Sequence, residues 1–181
     1  MREIEIKVKI SNLDNIQRKL EKKGCILSDP ISQHDVIYSR GNSKGEWQSS
    51  KEGDIIIRIR FSKNIAELNL KQQKSGEMDN LEYETEIKDP EAMNKILAAL
   101  GYAPAIEVKK LRRKGKLGEY EICVDEVEKL GNFIEIEKLT EDNADPQKIR
   151  NEIFEVIESL GLSRDDEETR GYDTQIYSLT H

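Results

Sequence analysis

The feature that most constrains this chain is an alternation of charged and apolar residues that recurs in nearly every extended segment. The opening run MREIEIKVKI puts Glu3, Glu5, Lys7 and Lys9 on one parity and Ile4, Ile6, Val8 and Ile10 on the other. A strand sends successive side chains to opposite faces, so this segment has one charged face and one apolar face. DIIIRIRF repeats the plan with Arg58 and Arg60, and ELNLKQQK sets Asn69 and Lys71 against Leu68 and Leu70. LEYETEI carries Glu82 and Glu84 on one parity, and IEVKKLRRK carries Lys110 and Arg112. EYEICVDEV opposes Glu119, Glu121 and Asp125 to Tyr120, Ile122 and Val124, and FIEIE presents Glu135 and Glu137.

In a single antiparallel strand the charged face normally meets water. Here the signs are sorted, with glutamates paired at 3/5, 82/84 and 135/137 and bases paired at 58/60 and 110/112. So many one-sided strands must also bury their apolar faces against something. A closed barrel satisfies both demands, with apolar faces outward beneath helices and charged faces lining the interior. The predicted fold is therefore α+β: a closed eight-stranded antiparallel β-barrel with a charged interior and helices packed outside.

The helices are signalled by a unit that occurs three times: a charged alternating strand, a polar break, an amphipathic segment and a glycine. Asp89-Pro90 and Asp145-Pro146 place a capping carboxylate before a proline at the first helical position. Gly24, Gly101 and Gly161 stand where a helix ends in a left-handed residue. Met93, Ile96, Leu97 and Leu100 follow helical spacing, as do Ile149, Ile153, Ile157 and Leu160. RGNSKGEWQSSKEGD, from Arg40, has no period and predicts a mobile loop beside the sheet. A short helix is expected from Tyr172 to Leu179.

Composition narrows the class. The 181 residues suffice for one domain, taken as 1–181, and 36 acidic against 29 basic residues give a net charge of −7. That balance argues against nucleic acid or an acidic membrane as partner. No run approaches the ~20 apolar residues of a membrane span, and a charged N-terminus argues against a signal peptide. Cys25 and Cys123 do not make a disulfide framework or a zinc knuckle, so a reducing cytoplasm is the expected location.

A charged interior must be wet and its charges partnered, since an unpaired buried ion costs several kcal/mol. Carboxylates bind hard divalent cations through oxygen, and arginine and lysine grip phosphate oxygens. A channel holding both suits a metal-chelated polyphosphate.

EIEIK, from Glu3 to Lys7, resembles the ExExK signature of the CYTH proteins, also called triphosphate tunnel metalloenzymes. Further pieces follow in that family's order: QHDVIY, then IRIR with Arg58 and Arg60, LNLK with Lys71, LEYETEI with Glu82 and Glu84, VKKLR with Lys110 and Arg112, and the run from Asp125 through LGNFIEIE. The resemblance implies Mg²⁺ or Mn²⁺ held by Glu3, Glu5, Glu135 and Glu137, with Asp125 as a further ligand. It implies a triphosphate held by Lys7, Arg58, Arg60, Lys71, Lys110 and Arg112, with Lys71, Lys110 and Arg112 closest to the chemistry. Glu82 and Glu84 are expected to support these bases. Tyr38 and Trp47 are assigned either to packing or to stacking on an organic ring.

The family contains class IV adenylyl cyclases, thiamine triphosphatases and inorganic tripolyphosphatases. VDEVEKLGNFIEIE is most similar to the cyclase branch, which makes ATP conversion to cyclic AMP and pyrophosphate the first expectation. Hydrolysis of thiamine triphosphate or tripolyphosphate is the alternative, and non-catalytic capture of polyphosphate and metal a third. A homodimer is compatible with each of these.

Overall fold

The structure, a computed structural model, describes residues 2–40 and 51–180. The segment expected as a mobile loop, with Trp47, lies outside the described residues except at its two ends. The elements run β1 (Arg2–Ile10), α1 (Leu13–Lys22), β2 (Ile31–Arg40), β3 (Ile55–Ser62), β4 (Ile65–Gly76) and β5 (Asp79–Ile87). Then come α2 (Pro90–Ala99), β6 (Tyr102–Leu117), β7 (Tyr120–Val127), β8 (Gly131–Thr140), α3 (Pro146–Ser159), a 3-10 turn (Arg164–Asp166) and α4 (Tyr172–Thr180).

The eight strands close into an antiparallel barrel in the order β1-β5-β4-β3-β2-β6-β7-β8. β1 pairs along its whole length with β8, from Arg2 opposite Thr140 to Ile10 opposite Asn132. Its other edge meets β5 through only three pairs, Arg2 to Ile4. A buried ion pair reinforces this short seam: Arg2 Nε donates to Asp79 Oδ1 at 2.7 Å, and Arg2 Nη1 donates to the carbonyls of Asp142 and Ala144.

Many outward-facing apolar residues are buried by the helices, as the alternation predicts, though Tyr83 of β5 and Leu111 of β6 stay exposed. Ile4, Ile6, Val8, Ile122, Val124, Ile134 and Ile136 form one core with Ile16 and Leu20 of α1 and Ile149, Ile153, Phe154 and Ile157 of α3. Tyr38, Ile57 and Ile59 form a second with Leu97 of α2. Both Asp-Pro caps form, with the Asp89 carboxylate accepting from Ala92 N and that of Asp145 from Gln147 N. Gly24, Gly101 and Gly161 take positive φ of 84°, 88° and 73° after their helices. Gly115 answers a different demand: a Cβ there would stand 2.8 Å from Cys25 Sγ and 2.9 Å from the Ile26 carbonyl oxygen, so the long β6 can pass the segment after α1 only without a side chain.

Two expectations need correction. The stripe of α2 is only half covered, for Leu97 is buried while Ile96 and Leu100 are more than half exposed. Leu97 and the partly buried Met93 are the residues of the stripe that pack on Tyr38, Ile57 and Ile59. Nor is the interior charged throughout. At one end the inward residues Ile37, Ile106, Val108, Val127 and Phe133 cluster with Tyr172 and Ile176, so α4 closes the barrel with an apolar stopper. No helix among the described residues is long and apolar enough to cross a membrane.

Candidate active site

Inside the barrel is a cavity of about 500 Å³. Its lining includes Glu3, Glu5, Lys7, Arg58, Arg60, Lys71, Glu82, Glu84, Lys110, Arg112, Glu135 and Glu137, which is every candidate from the sequence except Asp125. Strand pairing explains the convergence. Glu5 stands opposite Glu137 and Lys7 opposite Glu135 on the β1–β8 ladder, and Lys71 stands opposite Glu82 on β4–β5. The exposed residues Glu84, Lys114, Lys116 and Leu139 border the open end, while Glu77, Gly171, Tyr172 and Asp173 lie at the end that α4 closes.

Three carboxylates meet on one wall: Glu3, Glu5 and Glu137 each present a ligand oxygen within 4.8 Å of the others. Burial, only partly countered by Lys71, and the nearby Glu82 and Glu5 push the Glu3 carboxyl up to about 7. Burial and Glu135 push Glu5 up; burial, Glu3 and Glu5 push Glu137 well above the usual carboxylate range. Converging carboxylates that resist ionising together are a donor set short of positive charge, so these residues fit a hard divalent cation. Glu121 and Cys123 stand on the other flank of Glu137, again with ligand atoms within 4.8 Å.

Glu135 and Asp125 are engaged differently. Arg112 Nε donates to Asp125 Oδ1 at 2.7 Å, and Arg112 Nη2 contacts both Asp125 Oδ2 and Glu135 Oε2. Asp125 also accepts from the Tyr172 hydroxyl at 3.0 Å and lies 3.5 Å from Lys110 Nζ. It is wholly buried behind this cluster. Burial opposes ionisation of Glu135, but Arg112, Lys110 and Lys7 outweigh it and hold its carboxyl below the usual range. The structure thus gathers Glu3, Glu5 and Glu137 into one group and places Asp125 and Glu135 on the bases.

The basic side is braced in the same way. Asp35 accepts from Arg60 at 2.8 and 2.9 Å and lies 3.6 Å from Arg58 Nη1. Burial works against its charge, yet the two guanidiniums keep Asp35 far below the ordinary range. Lys71 is clasped by Glu82 and lies 3.4 Å from Glu3, and these carboxylates with Glu5 hold its pKa above normal in spite of burial. Burial opposes charge on Glu82 as well, but Lys71 brings its carboxyl down to about 2. Asn69 supports both supporting glutamates, donating to Glu82 at 3.1 Å and Glu84 at 2.7 Å. Burial and adjacent Arg112 push Lys110 down. Arg58 Nε is buried with no hydrogen-bond partner among the described residues, so one donor of the clamp remains for a ligand.

Asp35, Asn69, Glu77 and Tyr172 were not assigned from sequence. Asp35 had a signal, since it lies within QHDVIY on the inward parity. Tyr172 had none, because nothing in a short amphipathic helix tells which face meets the barrel's end. Tyr38, open to two assignments, faces outward beneath α2 with its hydroxyl on Asn94. His34 sits half-exposed beside Glu107.

Comparison with known proteins gives the same architecture. A protein of Methanocaldococcus jannaschii provisionally named an adenylate cyclase is 30% identical over 167 residues, covering 91% of this chain and 93% of its own. The solved structure of the Pyrococcus horikoshii protein PH1819 superposes with a TM-score of 0.82 at 26% identity, over 98% of this chain and 99% of that one. A Hippeastrum protein described as an adenylyl cyclase candidate with a dominant triphosphatase activity shares the fold at 17% identity and a TM-score of 0.64, over 99% and 95% of the two chains. The CYTH domain matches residues 1–172, and with that match spanning all eight strands of the barrel the chain belongs to the CYTH family.

Proposed function

We propose that this protein is a metal-dependent enzyme that cleaves a triphosphate inside its barrel. The observation that carries the reading is the division of one cavity into the Glu3, Glu5 and Glu137 group and a set of bases, with Arg58 Nε buried and without a partner among the described residues. Glu3, Glu5 and Glu137 would hold Mg²⁺ or Mn²⁺, which when bound screens phosphate charge and polarises P–O bonds. Arg58, Arg60, Lys71, Lys110, Arg112 and Lys7 bind the phosphate oxygens and neutralise charge as the leaving group departs. Asp35, Asp125 and Glu135 orient the guanidiniums, so the clamp is assembled before substrate arrives. Burial and Arg112 push the Lys110 ammonium down, which suits it to give a proton to the departing phosphate oxygen.

The relatives named as adenylate cyclases supply the first specific reading. The ribose 3′-oxygen of ATP bonds to the α-phosphorus, its proton passes to a base, and the bond to pyrophosphate breaks. A second reading is hydrolysis of tripolyphosphate or thiamine triphosphate, in which water attacks the terminal phosphorus. One observation favours it: among the described residues Tyr172, at the closed end, is the sole aromatic lining the cavity, and those bordering the open end are the charged Glu84, Lys114 and Lys116 with Leu139. Product analysis with Mg²⁺ or Mn²⁺ separates the two. Cyclic AMP and pyrophosphate from ATP would establish the cyclase; orthophosphate without cyclic AMP would establish hydrolysis, with the preferred substrate naming it. No turnover of any triphosphate would reduce the barrel to a binder.

A further inference from the structure

α4 closes the barrel, yet its first residue does more than fill space. Tyr172 is 8% exposed, and its ring meets Phe133 edge-on with centroids 5.2 Å apart. Lys7 Nζ lies 4.6 Å from the centre of the Tyr172 ring and Lys110 Nζ lies 5.0 Å from it. Both lysines belong to barrel strands, and both stand among the bases proposed to hold phosphate. Lys7 also donates to the carbonyl of Arg170, just before α4, at 2.6 Å. The helix is fastened in turn by Glu77 of the β4–β5 turn, which accepts from Gly171 N and, at 3.0 Å, from the Thr174 hydroxyl.

Two ammonium groups gathered at one end of a buried cavity repel each other and need something to hold them. Asp125 stands 3.5 Å from Lys110 but is shared with Arg112 and the Tyr172 hydroxyl, and a further carboxylate here would oppose an incoming phosphate. An aromatic ring attracts cations through its quadrupole and adds no formal charge. We propose that Tyr172 is a positioning residue of the phosphate site: its ring holds Lys7 and Lys110 at the closed end, so that the inner end of a triphosphate meets ammonium groups already in place. This rests on the triphosphate reading above.

The test compares wild type with Tyr172→Phe, Tyr172→Leu and Ile176→Ala. One readout is tripolyphosphate affinity by calorimetry. The other is the rate at which acetic anhydride labels Lys7 and Lys110, resolved by peptide mass spectrometry with Lys71 as internal reference. Tyr172→Leu should weaken affinity at least about 10-fold and raise labelling of both lysines several-fold, as loss of two cation–π contacts implies. Tyr172→Phe keeps the ring but loses the hydroxyl's hydrogen bond to Asp125, so labelling of both lysines should stay within about 3-fold of wild type and affinity should fall less than in Tyr172→Leu. Ile176→Ala loosens the same helix and should lower Tm while leaving both readouts within about 3-fold. The proposal is overturned if labelling in Tyr172→Leu matches wild type, if Tyr172→Phe is as impaired as Tyr172→Leu, or if Ile176→Ala equals Tyr172→Leu. A wild-type protein that does not bind tripolyphosphate overturns the triphosphate reading and the phosphate role of Tyr172 with it. Tight binding with unchanged labelling overturns the role of Tyr172 alone.

Discussion

The two kinds of carboxylate in this cavity are separated by what stands beside them. Glu135 and Asp35 face guanidiniums and are held ionised, whereas Glu137 faces Glu3 and Glu5 and resists ionising. A residue in the second position costs the apo fold stability and gains its use from a ligand. Glu137→Gln should therefore lower metal-dependent turnover at least about 100-fold, since even partners outside the metal's own ligands are worth ~10–100-fold. The same change should raise Tm in metal-free buffer at pH 8, where the wild-type carboxylate is forced toward ionisation. A fall in Tm on substitution would show that Glu137 is not under this strain. Arg58→Ala should cost more than about 1.5 kcal/mol of triphosphate affinity, the range for hydrogen bonds to charged groups; calorimetry giving a value near zero would place Arg58 outside the clamp.

At the scale of elements, the helices matter as the outer wall that lets the charged faces turn inward. α2 shows how local that contribution is. Leu97 is 4% exposed and packs on Ile57, Ile59 and Tyr38, while the neighbouring Ile96 is 52% exposed. Leu97→Ala should cost ~2–5 kcal/mol, as burial of a large aliphatic group implies, and Ile96→Ala less than about 1 kcal/mol. Equal losses in a denaturant titration would mean that α2 sits differently on the barrel. Both residues share the helical stripe of the sequence, and periodicity cannot rank them, because it reports the direction of a face and not the curvature of the surface beneath it.

For the whole molecule, these charges set a pH dependence. Glu82 and Asp35, with carboxyls below their ordinary values of 4.5 and 3.8, contribute stability that is present above those values and lost as pH falls through the depressed ones. Glu3, raised to about 7, contributes stability that is present below 4.5 and lost as pH rises toward 7, and Glu5 and Glu137 act in the same direction. The metal-free protein should therefore be most stable near pH ~4–5 and decline toward neutrality. Mg²⁺ or Mn²⁺ should reverse that decline by binding the ionised carboxylates, with proton release on binding at pH 6.5. Thermal melts across pH with and without metal check this; a metal-free profile flat from pH 5 to 8 would contradict it.

The sequence by itself determined the barrel, its outer helices and which residues face inward. Side-chain alternation follows from the covalent geometry of a strand, so parity alone turned Glu3, Arg58, Lys71, Lys110 and Glu137 to one face, and sorted signs made that face the inside. Helix limits were legible for the same local reason, in Asp-Pro caps and terminal glycines. Only the tertiary structure decided which inward residues meet. Closure in one register brings Glu137 of β8 opposite Glu5 of β1, sends Asp125 and Glu135 to Arg112, and binds Asp35 to Arg58 and Arg60. It also seats Tyr172 against Lys7 and Lys110. Such meetings depend on strand register and chain closure between segments far apart in sequence, and alternation is unchanged when a strand slides by two residues.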